Sequence, residues 1–99
     1  MLQAQIFFDK DDLQGSKPLE NYLMEFLIRE KISGATAFRG AFGFGANHYM
    51  KQPNLLFSFD DPPMVITFTD EADKVRGILT KLRKEFKGGL ILTAVVEKW

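Results

Sequence analysis

Ninety-nine residues, 45% hydrophobic and 26% charged, describe a single folded domain, 1–99, and exclude both a disordered chain and a two-domain one. Lys+Arg and Asp+Glu number 13 each, so the formal charge is zero and the basic surplus that nucleic acid requires is missing. With no cysteine, neither a disulfide framework nor a thiolate metal site can form.

Residues 3–8 read as the first strand, with Leu2, Ala4, Ile6 and Phe8 on one face. The segment carries no basic n-region and no small-residue cleavage pattern, and no apolar run nears the roughly 20 residues that span a bilayer. The expectation is a cytoplasmic protein that is not itself a membrane protein. After a polar loop around Asp9, Lys10, Asp11, Asp12 and Gly15, Ser16 is the expected N-cap, with Pro18 in the first helical turn. Leu19, Tyr22, Leu23, Phe26 and Leu27 keep the spacing of an amphipathic helix, which the sequence ends near Ser33 and Gly34.

Residues 35–44 form a second strand that turns glycine-rich at Gly40, Gly43 and Gly45. Glycine weakens a strand, so these positions point to a bulge or to close approach of a backbone or ligand. A polar loop, 46–54, follows, then a short apolar strand over 55–59 and a turn at Asp60, Asp61, Pro62 and Pro63. The third main strand is 64–68. Thr69 or Asp70 caps a second helix whose inner stripe is Val75, Ile78, Leu79, Leu82 and Phe86. Lys81, Arg83, Lys84 and Lys87 gather near its C-terminus, as the helix dipole favours, and Gly88 and Gly89 break it before a last strand, 90–96.

The order βαββαβ predicts an α+β, ferredoxin-like fold: a four-stranded antiparallel sheet with two helices on one face. Phe7, Phe38, Ile91 and Val95 lie in strands whose opposite-parity neighbours are also apolar, so the open face is expected to be buried against further copies.

The stretch Gly34-Ala35-Thr36-Ala37-Phe38-Arg39-Gly40-Ala41-Phe42-Gly43-Phe44-Gly45 resembles the G-x-T-x-x-R-G-x-x-G-F-G segment of a small domain-of-unknown-function family, DUF "one-ninety", in the PII-like group. Gly15-Ser16-Lys17-Pro18-Leu19, Phe57-Ser58-Phe59-Asp60-Asp61-Pro62-Pro63, Phe68-Thr69-Asp70-Glu71 and Gly89-Leu90-Ile91 resemble further segments of that family, in order along the chain. Lys87-Gly88-Gly89-Leu90 is similar to a shortened form of the G-D-G-K nucleotide loop of PII proteins, with Leu90 in place of the lysine. The resemblance implies a homotrimer with clefts between subunits that take a small anion, an adenine nucleotide being the implied candidate. It also implies a moving loop, 46–54, whose Asn47, His48, Tyr49 and Lys51 meet a partner such as a membrane transporter or an enzyme.

The ligand-binding set is therefore Arg39, Gly43, Phe44, Gly45, Lys87, Gly88 and Gly89. Arg39, inside an apolar strand, is either an anion anchor through its guanidinium fork or a structural partner for a carboxylate across a subunit interface. Gly43 and Gly45 either bring N–H groups to a phosphate or bend the strand into its loop. Lys87, Gly88 and Gly89 form a helix cap first and a phosphate loop second, since a helix C-terminus repels anions. His48 is the lone histidine, so no metal site is assigned. No catalytic triad and no cofactor are assigned: the expectation is a protein that binds and reports. An acylphosphatase shares the element order but needs a phosphate loop after strand one, where this chain has Asp9, Asp11 and Asp12. The alternative is a structural or divalent-cation-associated trimer resembling the cation-tolerance proteins, without nucleotide.

Overall fold

Alternation at the start of the chain becomes β1 (Leu2–Asp9), with Leu2, Ala4, Ile6 and Phe8 buried and Phe7 exposed. A computed structural model describes residues 1–41, 44 and 62–99 of the chain. The described elements continue with β2 (Leu13–Gln14), β3 (Lys17–Pro18), α1 (Leu19–Arg29), β4 (Ala35–Arg39), β5 (Pro63–Asp70), α2 (Ala72–Glu85) and β6 (Leu90–Val95). The apolar strand expected over 55–59 lies outside the described residues.

The main sheet has the order β4-β5-β1-β6, antiparallel throughout. Its register sets Ile6 opposite Ile66 on one side and Ile91 on the other, and Ala4 opposite Phe68. Those residues, with Met64, form the floor of the core; α1 adds Leu19, Leu23, Phe26 and Leu27, and α2 adds Val75, Ile78, Leu82 and Phe86. Full burial of each large apolar side chain contributes roughly 1.5–3 kcal/mol. Four such residues are what hold α1, because an isolated helix of its 11 residues would be marginal in water. This is the expected α+β, ferredoxin-like arrangement.

The ends of α1 differ from expectation. Pro18, not Ser16, occupies the N-cap, because Lys17 and Pro18 pair with Gln14 and Leu13 in a small ladder around Gly15, whose φ is +63°. The helix stops at Arg29, well before Gly34. Lys31 N–H bonds the Ile28 carbonyl and Ile32 N–H the Leu27 carbonyl, a Schellman closure with Lys31 in the left-handed position at φ +62°. The early stop turns Ile32 onto the core. At α2 the N-cap is Glu71, and Asp70 instead accepts the Glu71 N–H at 2.8 Å.

The helices cover one face only. Across the other, Phe38, Val65, Phe7 and Leu90 form one cross-strand row, with Phe38 and Leu90 each about half exposed. The next row, Thr36, Thr67, Gln5 and Leu92, is mostly polar. The open face is therefore apolar at one end of the sheet.

Candidate functional site

That same end carries the candidate residues. Arg39 is the last residue of β4 and pairs with Met64, placing it on the helix side at a sheet edge. It is exposed, and among the described residues it has no hydrogen-bond or ion-pair partner. No carboxylate among the described residues neutralises it there. The following Gly40 is explained by packing. Its N–H bonds the Pro63 carbonyl at 2.7 Å, and a Cβ would stand 2.8 Å from Pro63 Cγ. Close approach of a neighbouring backbone ends the strand at this point. Phe44 is 66% exposed. Gly43, Gly45 and the loop residues Asn47, His48, Tyr49 and Lys51 lie outside the described residues.

At the opposite edge, α2 gives way to β6 through Lys87, Gly88 and Gly89. Phe86 leaves the helix in an extended conformation with its ring still buried, and Gly89 takes φ +67°. A Cβ on Gly89 would lie 2.7 Å from the Phe7 carbonyl oxygen. Arg83 stabilises the turn: its Nη1 donates to the carbonyls of Phe86 at 3.1 Å and Gly88 at 2.6 Å, and its guanidinium stacks 5.4 Å from the Phe86 ring centre. The Lys87 ammonium donates to the Arg83 carbonyl. In the single chain the turn works as a cationic helix cap, with Arg83, one of the cations expected near this helix end, holding its carbonyls.

Among the described residues, Arg39 and the Lys87–Gly89 turn do not meet within one chain. Leu90 pairs with Phe7, while Arg39 pairs with Met64 and Met64 with Phe8. Arg39 and the Gly89–Leu90 turn thus close the same end of the sheet from opposite edges, three strand spacings or roughly 14 Å apart. A small ligand touching both would need a second chain whose β4 edge lies near the first chain's β6 edge.

Two polar nodes tie the helices in place. Tyr22 donates its hydroxyl hydrogen to Glu85 Oε1, linking α1 to α2. Burial, then that hydrogen bond and the Glu85 charge, push the phenol up to about 12. Asp70 is held below the usual carboxylate range, first by the Glu71 N–H and then by Lys74, whose Nζ is 3.2 Å away. The first node is not visible in local spacing, because Tyr22 and Glu85 are 63 residues apart. Among the described residues no cluster of three or more His, Asp or Glu is placed to hold a metal, and no helix is long and apolar enough to cross a membrane.

A family model, DUF190 (Uncharacterized ACR), matches residues 1–98. A UPF0166 protein of Aquifex aeolicus (strain VF5) is 28% identical over 91 residues, covering 92% of this chain and 87% of that protein. Among solved structures, CPII from Thiomonas intermedia K12, bound to ADP and bicarbonate, superposes with a TM-score of 0.65 at 20% identity, covering 94% of this chain and 82% of CPII. Pyrococcus horikoshii CutA gives the same TM-score, 0.65, at 13% identity, over all of this chain and 87% of CutA. Both likenesses are of fold: the chain has the PII- and CutA-like form of the ferredoxin-like arrangement.

Proposed function

We propose, from the premise that this chain belongs to the DUF190 family, that it is a PII-like regulatory protein that takes a small anionic ligand, an adenine nucleotide, in clefts between its copies. The observation that carries this reading is the split site. Arg39, whose guanidinium has no partner among the described residues, and the glycine turn Lys87 to Gly89, capped by Arg83 and Lys87, sit at one end of the sheet on opposite edges. Both edges are free of charged or proline gatekeepers in their middle positions, and the adjoining open face is apolar. Packing copies around that face, in a homotrimer, would bring one chain's Arg39 toward another's turn and leave the helices outside. A phosphate would then find a guanidinium fork and backbone N–H groups at glycine, the groups suited to it. CPII with ADP and bicarbonate supports the ligand class by analogy of fold.

In this reading the loop 46–54, with Asn47, His48, Tyr49 and Lys51, is the part that responds to ligand and meets the regulated transporter or enzyme. Ligand would shift its populations by the difference in affinity for the two loop states. The protein works by binding, not turnover. The equal likeness to CutA supports the alternative of a structural or cation-associated trimer without nucleotide.

A thermal-shift series with ATP, ADP, AMP, bicarbonate and divalent cations, repeated on Arg39→Ala, separates them. Ligand at about 100 times its Kd stabilises by roughly 2.7 kcal/mol, on the order of 10 °C for a domain this size. A nucleotide shift lost in Arg39→Ala is expected. A flat nucleotide response with a cation response would move the assignment to the structural trimer.

A further inference from the structure

The cations of this neutral chain are unevenly placed. Residues 72–87, α2 and the turn beyond it, carry six of its 13 Lys and Arg but only two of its 13 Asp and Glu. Most of the six are engaged. Lys74 bonds Asp70 and the Lys31 carbonyl, Lys81 bonds Glu30 at 2.8 Å, and Arg83 and Lys87 cap the helix end. Two are left facing solvent. Lys84 has no partner among the described residues, and Arg76 reaches only Asp73, at 3.9 Å, with both side chains exposed.

Arg76, Thr80 and Lys84 follow one another at four-residue steps along the exposed side of α2, over about 12 Å. The neighbouring helix does not offset them. Its carboxylates Glu20, Glu25 and Glu30 are already paired with Lys10, Lys17 and Lys81. The helix layer therefore presents a net positive row on α2, in which Arg76 holds only a long, exposed contact with Asp73 and Lys84 has no partner among the described residues, beside a neutralised α1.

We propose that the solvent side of α2 docks a short acidic segment of a partner protein, with Arg76 and Lys84 as its charged contacts. A bilayer fits poorly, because Val75, Ile78 and Leu82 are buried in the core and Leu79 is half-buried, leaving no apolar side chain on α2 to insert. A long polyanion fits poorly too, since the row spans only about 12 Å and the chain has no net positive charge to hold one. A short acidic segment laid along α2 from Arg76 toward Lys84 meets the two cations and leaves the exposed Asp73 beyond the N-terminal end of the row. The proposal rests on the assembly described above only in that burying the sheet face leaves α2 outside. Repeated copies would then strengthen a weak contact through multivalency.

The test is fluorescence anisotropy with a labelled Glu/Ala peptide of roughly a dozen residues. Its Gln/Ala counterpart, vesicles of phosphatidylserine and phosphatidylcholine, and single-stranded RNA serve as competitors. The protein is compared with the double charge reversal Arg76→Glu/Lys84→Glu and the milder Arg76→Gln/Lys84→Gln. Binding of the Glu peptide should weaken steeply with salt and fall roughly tenfold or more in the reversal. Equal binding of Glu and Gln peptides, undiminished binding by both variants, or preference for vesicles or RNA would overturn the proposal. The thermal response to ADP, measured in parallel, should be unchanged by either variant. Its absence in the wild type with peptide binding intact would remove the nucleotide reading and leave this one.

Discussion

Gly89→Ala tests whether the turn at the end of α2 is built as described. Gly89 has φ +67°, and alanine in the left-handed region costs on the order of 1–2 kcal/mol. The added Cβ would also stand 2.7 Å from the Phe7 carbonyl oxygen and 3.3 Å from the Phe86 ring. Phe7 lies in a central strand paired on both sides, so its carbonyl cannot move without disturbing β1. Overpacking of that kind costs about 1–3 kcal/mol. Together the two effects predict a loss of roughly 2–5 kcal/mol, which lowers the melting midpoint of a domain this size by about 8–40 °C. Gly88→Ala is the built-in control. Its Cβ would meet the Phe86 ring at 3.4 Å with no positive φ, so a change within about 0.5–1 kcal/mol is expected. Circular dichroism melts at matched protein concentration read both variants, the matching being needed because assembly itself raises the midpoint. A Gly89→Ala midpoint within about 4 °C of wild type would refute the reasoning, since it would mean the turn relaxes without touching β1.

Other outcomes follow from the same geometry. Lys31→Gly should stabilise the chain by about 0.5–1 kcal/mol in urea unfolding, because Lys31 occupies the left-handed closing position of α1; destabilisation would contradict that placement. Asp70 is more acidic when folded than unfolded, so its contribution is present above the usual carboxylate pKa and disappears as pH falls through the lower folded value. Asp70→Asn should therefore flatten the acid limb of the stability curve below about pH 4, and an unchanged limb would rule out the role. Tyr22 is less acidic when folded, so its contribution is complete below about pH 10 and declines from there through about 12. In a Tyr49→Phe background, phenolate absorbance should titrate near 12, and a midpoint near the ordinary value would count against the bond to Glu85.

Strands and helices were legible where periodicity is strong. The alternation at Leu2, Ala4, Ile6 and Phe8 and the stripe through Leu19, Leu23, Phe26 and Leu27 are the buried sets of the fold. Boundaries were less legible, because they answer to tertiary demands. Glycine at Gly34 drew the expected end of α1 too far, whereas docking of Ile32 onto the core closes the helix through a lysine. Lys17 and Pro18 read as the first turn of the helix, yet they close a two-residue ladder with Leu13 and Gln14 that no local hydrophobic pattern announces. For the site, the sequence named Arg39 and Lys87 to Gly89 but not their separation. Only the order β4-β5-β1-β6 shows that they share one end of the sheet from opposite edges. The contacts between helices, Tyr22 with Glu85 and Lys81 with Glu30, are non-local and carry no spacing signal.

Native mass spectrometry of the protein with ADP addresses the central claim most directly, because it reads assembly and occupancy together. A site divided between copies predicts a trimer that takes one ADP per cleft, with ADP absent from any monomer and lost from the Arg39→Ala trimer. ADP held by single chains, or a trimer that takes none, would contradict a nucleotide site divided between the edges of neighbouring sheets.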